Sequence, residues 1–189
     1  MMVGYLQAGP LRIGGAPVHV HWSVFIALVI ILAGAHGSAA KALISVASYL
    51  GIILLHESGH ALVARHLGYQ PLNIYLGFFH GLCEYSMAYN RKHQAIIAWG
   101  GVVAQLIVAV PIMLLGETDL AQQPLFAPVL VFLGYFNVMV ALFNLAPHPA
   151  LDGGLAWSLI PQSLNDFKTN RKAARRKAEW QRKLNENDD

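Results

Sequence analysis

Leu54-Leu55-His56-Glu57-Ser58-Gly59-His60-Ala61-Leu62 is the stretch from which the rest of the chain is best read. On a helix, His56 and His60 stand four residues apart on one face, so two imidazole nitrogens can converge on one metal ion. Glu57 is offset by about 100 degrees; it cannot fully share that face and is suited to hold a water on the metal instead. The flanking residues are apolar, so the pattern interrupts a hydrophobic helix. A charge at the centre of a membrane helix costs about 2.5–3.5 kcal/mol, so these polar residues call for a functional explanation.

Composition agrees with a membrane setting. Of 189 residues, 56% are hydrophobic and 12% charged, a balance that excludes an ordinary soluble globule. Residues 1–160 carry five basic and five acidic side chains, and residues 161–189 carry eight and five. The net charge of +3 therefore resides in the tail, and it argues against a nucleic-acid-binding face. Cys83 is the single cysteine, so no intrachain disulfide can form, and it reads as a small core residue.

Four apolar segments follow outward from the motif. The one that contains it runs over residues 42–67, with the histidines towards its end. Before it, residues 22–35 form a shorter run that approaches the ~17–20 residues needed to cross ~30 Å of hydrocarbon once Val18 and Val20 are counted. Trp22 stands at its interface. Arg12 ahead of this run and Ala33-Gly34-Ala35 behind it also fit a signal peptide, but the polar lead-in is long for one. Either reading brings the next segment into the membrane from outside. After the motif, residues 68–93 are broken by Gly68, Pro71, Gly77 and Gly81. Residues 72–79 there are rich in strand formers, which predicts a hairpin or re-entrant loop. Spans are expected over residues 94–116, where Gly100, Gly101 and Ala104 offer a small-residue strip, and over 125–145, which Pro147 and Pro149 stop.

Four spans put both termini on one side. Arg12, Arg65, Arg91, Lys92 and the basic tail share that side, while the opposite loops hold Lys41, Glu117 and Asp119; the positive-inside rule makes the first side cytoplasmic. His56, His60 and the end of the last span then lie near the cytoplasmic face. The tail is expected to be a solvated, partly disordered helix, with contact to anionic lipid as the alternative.

A catalytic zinc usually takes three protein ligands and leaves a fourth place for water. The candidates for the third are His66, His80, Glu84, His148 and Asp152. Asp152 is preferred: it stands in Asn144-Leu145-Ala146-Pro147-His148-Pro149-Ala150-Leu151-Asp152-Gly153-Gly154, where prolines end the helix and glycines permit an unusual backbone. A buried aspartate wants a cation. Its rival role is a helix or turn cap.

His56-Glu57-Ser58-Gly59-His60, followed late in the chain by Asn144-x-x-Pro147 and Leu151-Asp152-Gly153, resembles the site-2 protease family of intramembrane zinc metalloproteases. The likeness extends over roughly residues 10–160, through Val20-His21-Trp22, the loop around residues 78–81 and Gly100-Gly101. It implies one zinc ion per chain on His56, His60 and Asp152, with Glu57 as general base and Asn144 near the substrate or the developing oxyanion. One departure is that Gly101-Val102-Val103-Ala104-Gln105 stands where many members have Gly-Pro-x-x-Asn, and no role is assigned to Gln105. No PDZ or cystathionine-synthase-like segment is visible, which suggests a minimal catalytic core.

The expected protein is thus an all-α polytopic membrane protein of about four transmembrane helices, with a small membrane-associated hairpin or re-entrant loop between the second and third. Residues 1–160 would form the metalloprotease core and 161–189 a basic cytoplasmic tail. The expected activity is zinc-dependent hydrolysis of a peptide bond within or near the transmembrane segment of a substrate protein, with that segment pairing along residues 72–79. The alternative is a zinc-binding membrane module that holds a partner helix without cutting it; a metal transporter is disfavoured because the polar residues cluster at one depth. Expected partners are the lipid bilayer of the cell membrane and the substrate, with a second copy or a regulatory protein as further candidates.

Overall fold

The computed structural model describes residues 3–34, 38–78 and 81–187, the last seven of these by backbone alone. Its elements run β1 (Tyr5–Ile13), β2 (Ala16–His21), α1 (Val24–Gly34), α2 (Ala39–His66), β3 (Pro71–Leu76), β4 (Gly81–Tyr85), α3 (Arg91–Leu115), α4 (Phe126–Asn144), α5 (Gly153–Ala156) and α6 (Leu159–Asn187).

Three helices among the described residues, α2, α3 and α4, are long and apolar enough to cross a membrane. Their outward residues are large and hydrophobic, among them Ile107, Leu114, Met139, Leu142 and Phe143, as lipid-facing surfaces require. Helix α1, in the expected first span, has 11 residues, or about 16 Å at ~1.5 Å per residue. It is shorter than expected because Val18 and Val20 belong to β2 and pair with Ile74 and Leu76. Local sequence explains the ends of the long helices. Ser38 accepts a hydrogen bond from the Lys41 amide at the start of α2, and Asn90 from the Lys92 amide at the start of α3, each satisfying a donor with no intrahelical partner. Gly68, at φ +87°, stops α2 in the left-handed conformation, where the Tyr69 amide donates to Ala64 O.

The all-α expectation needs correcting. The N-terminal residues form a hairpin, β1–β2, whose second strand pairs in parallel with β3. The result is a four-stranded sheet ordered β1-β2-β3-β4. One face, with Ala16, Val18, Ile74 and Leu76, packs on Tyr49, Ile53 and Ala61 of α2, and the Tyr49 hydroxyl donates to Phe78 O. Strand β3 lies between β2 and β4, so residues 72–76 have no free edge for a substrate strand. The exposed edges belong to β1 and β4. The tail is one continuous helix in the described residues, beginning at Leu159, and Lys92 Nζ pairs with Asp166 at 2.5 Å.

Helices α2 and α3 touch through backbone. A Cβ on Gly59 would run into Gly100 O, and one on Gly100 would stand 2.7 Å from Gly59 O. The crossing therefore admits only glycine at both places. Gly100→Val is expected to separate the helices and lower stability by about 1–3 kcal/mol or more, read as a lowered thermal unfolding midpoint in detergent. An unchanged midpoint would contradict the close crossing.

Candidate metal centre

His56, Glu57 and His60 are all buried on α2. Gln105 Oε1 lies 2.9 Å from His56 Nδ1, and Ile97 O lies 2.7 Å from His60 Nδ1. A main-chain carbonyl can only accept, so His60 Nδ1 carries a proton; the Gln105 carbonyl asks the same of His56 Nδ1. In the neutral rings both Nε2 atoms then bear lone pairs.

Those lone pairs point at one another and at a carboxylate. The two Nε2 atoms are 3.1 Å apart. Asp152 Oδ2 stands 3.0 Å from His56 Nε2 and 3.3 Å from His60 Nε2, buried and without a conventional hydrogen bond. Three electron-rich atoms at this spacing repel unless a metal ion or a ring proton lies among them. Tetrahedral zinc with bonds of about 2.0–2.2 Å holds its ligand atoms about 3.3 Å apart, so the separations fit that ion. Gly101 forms a wall of the cradle: a Cβ there would stand 2.6 Å from His60 Nε2 and 2.7 Å from His56 Cε1.

Asp152 reaches the histidines from outside the long helices. Its main-chain carbonyl accepts from the Leu155 and Ala156 amides as α5 begins, yet its side chain caps nothing, which removes the rival role for the carboxylate. Two indoles fasten this segment: Trp99 Nε1 donates to Ala156 O at 3.0 Å and Trp157 Nε1 to Leu145 O at 2.7 Å. The other candidates go elsewhere. Glu84 accepts from Asn73 Nδ2 at 2.9 Å, His148 Nδ1 accepts from the Ala150 amide at 3.2 Å, and His66 is exposed at the end of α2. His80 and Phe79 lie outside the described residues. Among the described residues, His56, His60 and Asp152 are the one group of three or more such side chains able to hold a metal.

Glu57 is 3% exposed and faces β4, where the Cys83 main chain hydrogen-bonds its carboxylate. A Cβ on Gly81 would run into Glu57 Oε1, so a side chain there would push the carboxylate aside. Cys83 itself is inert: burial, assisted by the Glu57 and Glu84 charges, pushes its thiol up to about 12. Asn144 ends α4, partly buried, and its side chain makes no hydrogen bond among the described residues. Sequence reasoning missed Gln105, which is wholly buried and touches a proposed ligand; its polarity inside an apolar span was the available signal.

Asp152→Ala is expected to lose stoichiometric zinc, measured by elemental analysis of purified protein, while the helical circular dichroism stays within about a tenth of the unaltered value. Full zinc retention would remove Asp152 from the centre.

Comparison with known proteins is consistent with this geometry. The profile of Peptidase family M50 matches residues 105–178, which hold Asn144, Pro147 and Asp152. The chain is 35% identical over 106 residues to "Putative zinc metalloprotease sll0528" of Synechocystis sp., covering 54% of this chain and 27% of that protein. It is 29% identical over 159 residues to "Putative zinc metalloprotease Rip3" of Mycobacterium tuberculosis, covering 76% of this chain and 40% of that protein. The chain thus spans less than half the length of these relatives. Its fold is similar to that of the Site-2 Protease from Methanocaldococcus jannaschii, with TM-score 0.60 and 22% identity over 84% of this chain and 72% of that one. A zinc-compatible donor set is thus carried on a fold similar to that of a site-2 protease, in a chain whose residues 105–178 match peptidase family M50.

Proposed function

We propose that this chain hydrolyses a peptide bond within or near the transmembrane segment of another membrane protein. The observation that carries the reading is the meeting of Asp152 Oδ2 with His56 Nε2 and His60 Nε2 of a membrane-length helix, with Glu57 beside His56 on that helix. A zinc ion held by these three donors supplies Lewis acidity to the scissile carbonyl and to a water molecule.

The remaining work falls to the chain. Glu57, anchored by β4, takes a proton from the attacking water and passes it to the leaving amine. Asn144, which the family resemblance sets near the substrate, offers an amide to the developing oxyanion. A transmembrane helix hides its carbonyls, so the substrate must unwind locally; the outer edge of β4, beside Glu57, is a template on which the extended segment can pair. The burial of Glu57 favours cutting over holding, because a module that only grips a partner helix has no use for a general base.

The catalytic side is cytoplasmic in this reading, as are both termini and the tail beyond residue 160. That sidedness requires α1 and its flanking residues to complete a fourth crossing. The occupant of the site is a single-span or multi-span membrane protein, and the cell membrane is the working compartment.

Glu57→Gln is expected to keep zinc and to lower cleavage of a susceptible membrane substrate by at least about a thousandfold, as loss of a general base together with water positioning implies. Cleavage by that variant at the unaltered rate would sink the mechanism. Gly81→Val is expected to keep zinc and lose cleavage as well, by displacing Glu57. For sidedness, a cysteine placed at Glu117 in a Cys83→Ala background should react with an impermeant maleimide on intact cells, and one at Lys177 only after permeabilisation; the reverse pattern would invert the topology.

A further inference from the structure

Two buried amides behind the metal centre have no part in the reaction as described. Gln105 and Asn137 are both 0% exposed, on α3 and α4. Gln105 Oε1 accepts from His56 Nδ1 at 2.9 Å. Asn137 Nδ2 donates to the main-chain O of Gln105 and to Leu133 O, each at 3.2 Å. Leu133 lies in the segment of α4 wound as a π-helix, Leu130–Phe136, a local irregularity often found near functional sites.

The orientation of the Gln105 amide decides what His56 can do. With Oε1 towards the ring, Nδ1 holds the proton and Nε2 turns a lone pair to the centre. With the amide reversed, its NH2 would donate to Nδ1, the proton would move to Nε2, and the ring could not act as a ligand through that atom. Gln105 Nε2 and Asn137 Oδ1 are each buried without a hydrogen-bond partner among the described residues. They do not bond each other, and the two residues are joined through Asn137 Nδ2 and the main-chain O of Gln105.

We infer that Gln105 is a positioning residue that fixes the metal-binding tautomer of His56, and that Asn137, donating to the Gln105 main-chain O, holds that residue in place. Asn137, Gln105 and His56 thus form a line from α4 through α3 to α2, and the fourth helix influences the metal without touching it. The inference rests on the metal-centre reading, and Gln in place of the family's frequent Asn keeps the amide while adding one methylene of reach.

The test is zinc affinity of the full chain in detergent, by competition with a chromogenic chelator. Gln105→Met keeps volume and removes the acceptor; it is expected to weaken zinc binding by about 10–100-fold, as loss of such outer partners does. Gln105→Glu restores an acceptor that cannot be reversed, and is expected to bind zinc at least as tightly as the unaltered chain. Asn137→Leu is expected to weaken binding, yet to add nothing in the Gln105→Met background, since its effect passes through Gln105. Zinc affinity of Gln105→Met within twofold of the unaltered chain would overturn the inference, as would a full further loss from Asn137→Leu in the Met background. Should Gln105→Met fail to fold, Gln105→Glu decides alone, and weaker zinc binding by it counts against the role. An unaltered chain that binds no zinc would instead fell the metal centre itself.

Discussion

Helices α2 and α3 meet where neither backbone has room for a side chain, at Gly59 and Gly100. Everything that makes the centre depends on that contact. It carries Gly101 up to both imidazoles, brings Ile97 O within 2.7 Å of His60 and sets Gln105 behind His56. In lipid no hydrophobic force drives helices together, so close van der Waals contact between small residues must do so. The residues that permit tight packing here also shape the cradle, and a methyl group at one of three neighbouring glycines would disturb both.

The sheet completes what the crossing begins. Strand β4 lies against α2 at Glu57, and its glycine at position 81 leaves room for the carboxylate. Strand β2 and the N-terminal hairpin add no donor to the centre, but they hold β3 from behind through parallel pairing and so keep the hairpin's position on α2. The two histidines and Glu57 thus sit between a close helix pair on one side and a braced strand on the other. Only the segment carrying Asp152 lies outside this frame, and two tryptophans tie it down.

Much of the centre was legible in the sequence because its signals are local or chemically costly. Two histidines at helical spacing in an apolar run, and an aspartate between helix-stopping prolines and flexible glycines, identify themselves. The three long helices were legible for the same reason, each within a few residues. The sheet was legible only in part: residues 72–79 read as strand formers and β3 lies among them, but the partner of β2 lies beyond two helices, and nothing local to Val18 or Val20 says that they face Ile74 and Leu76 instead of lipid. Counting them as span residues also lengthened the expected first helix. Gln105 was passed over because its role depends on reach between helices, which spacing along one chain does not display.

The histidines and the aspartate come from opposite ends of the chain, and this orders events during synthesis. His56 and His60 leave the ribosome with α2, whereas Asp152 follows only after α3 and α4 have been made. Until then the nascent chain offers two imidazoles without the third donor of the proposed centre. Competence therefore arrives with the last membrane helix and the short turn after it. A chain stalled or truncated before Asp152 lacks one of the three donors and cannot complete the proposed centre.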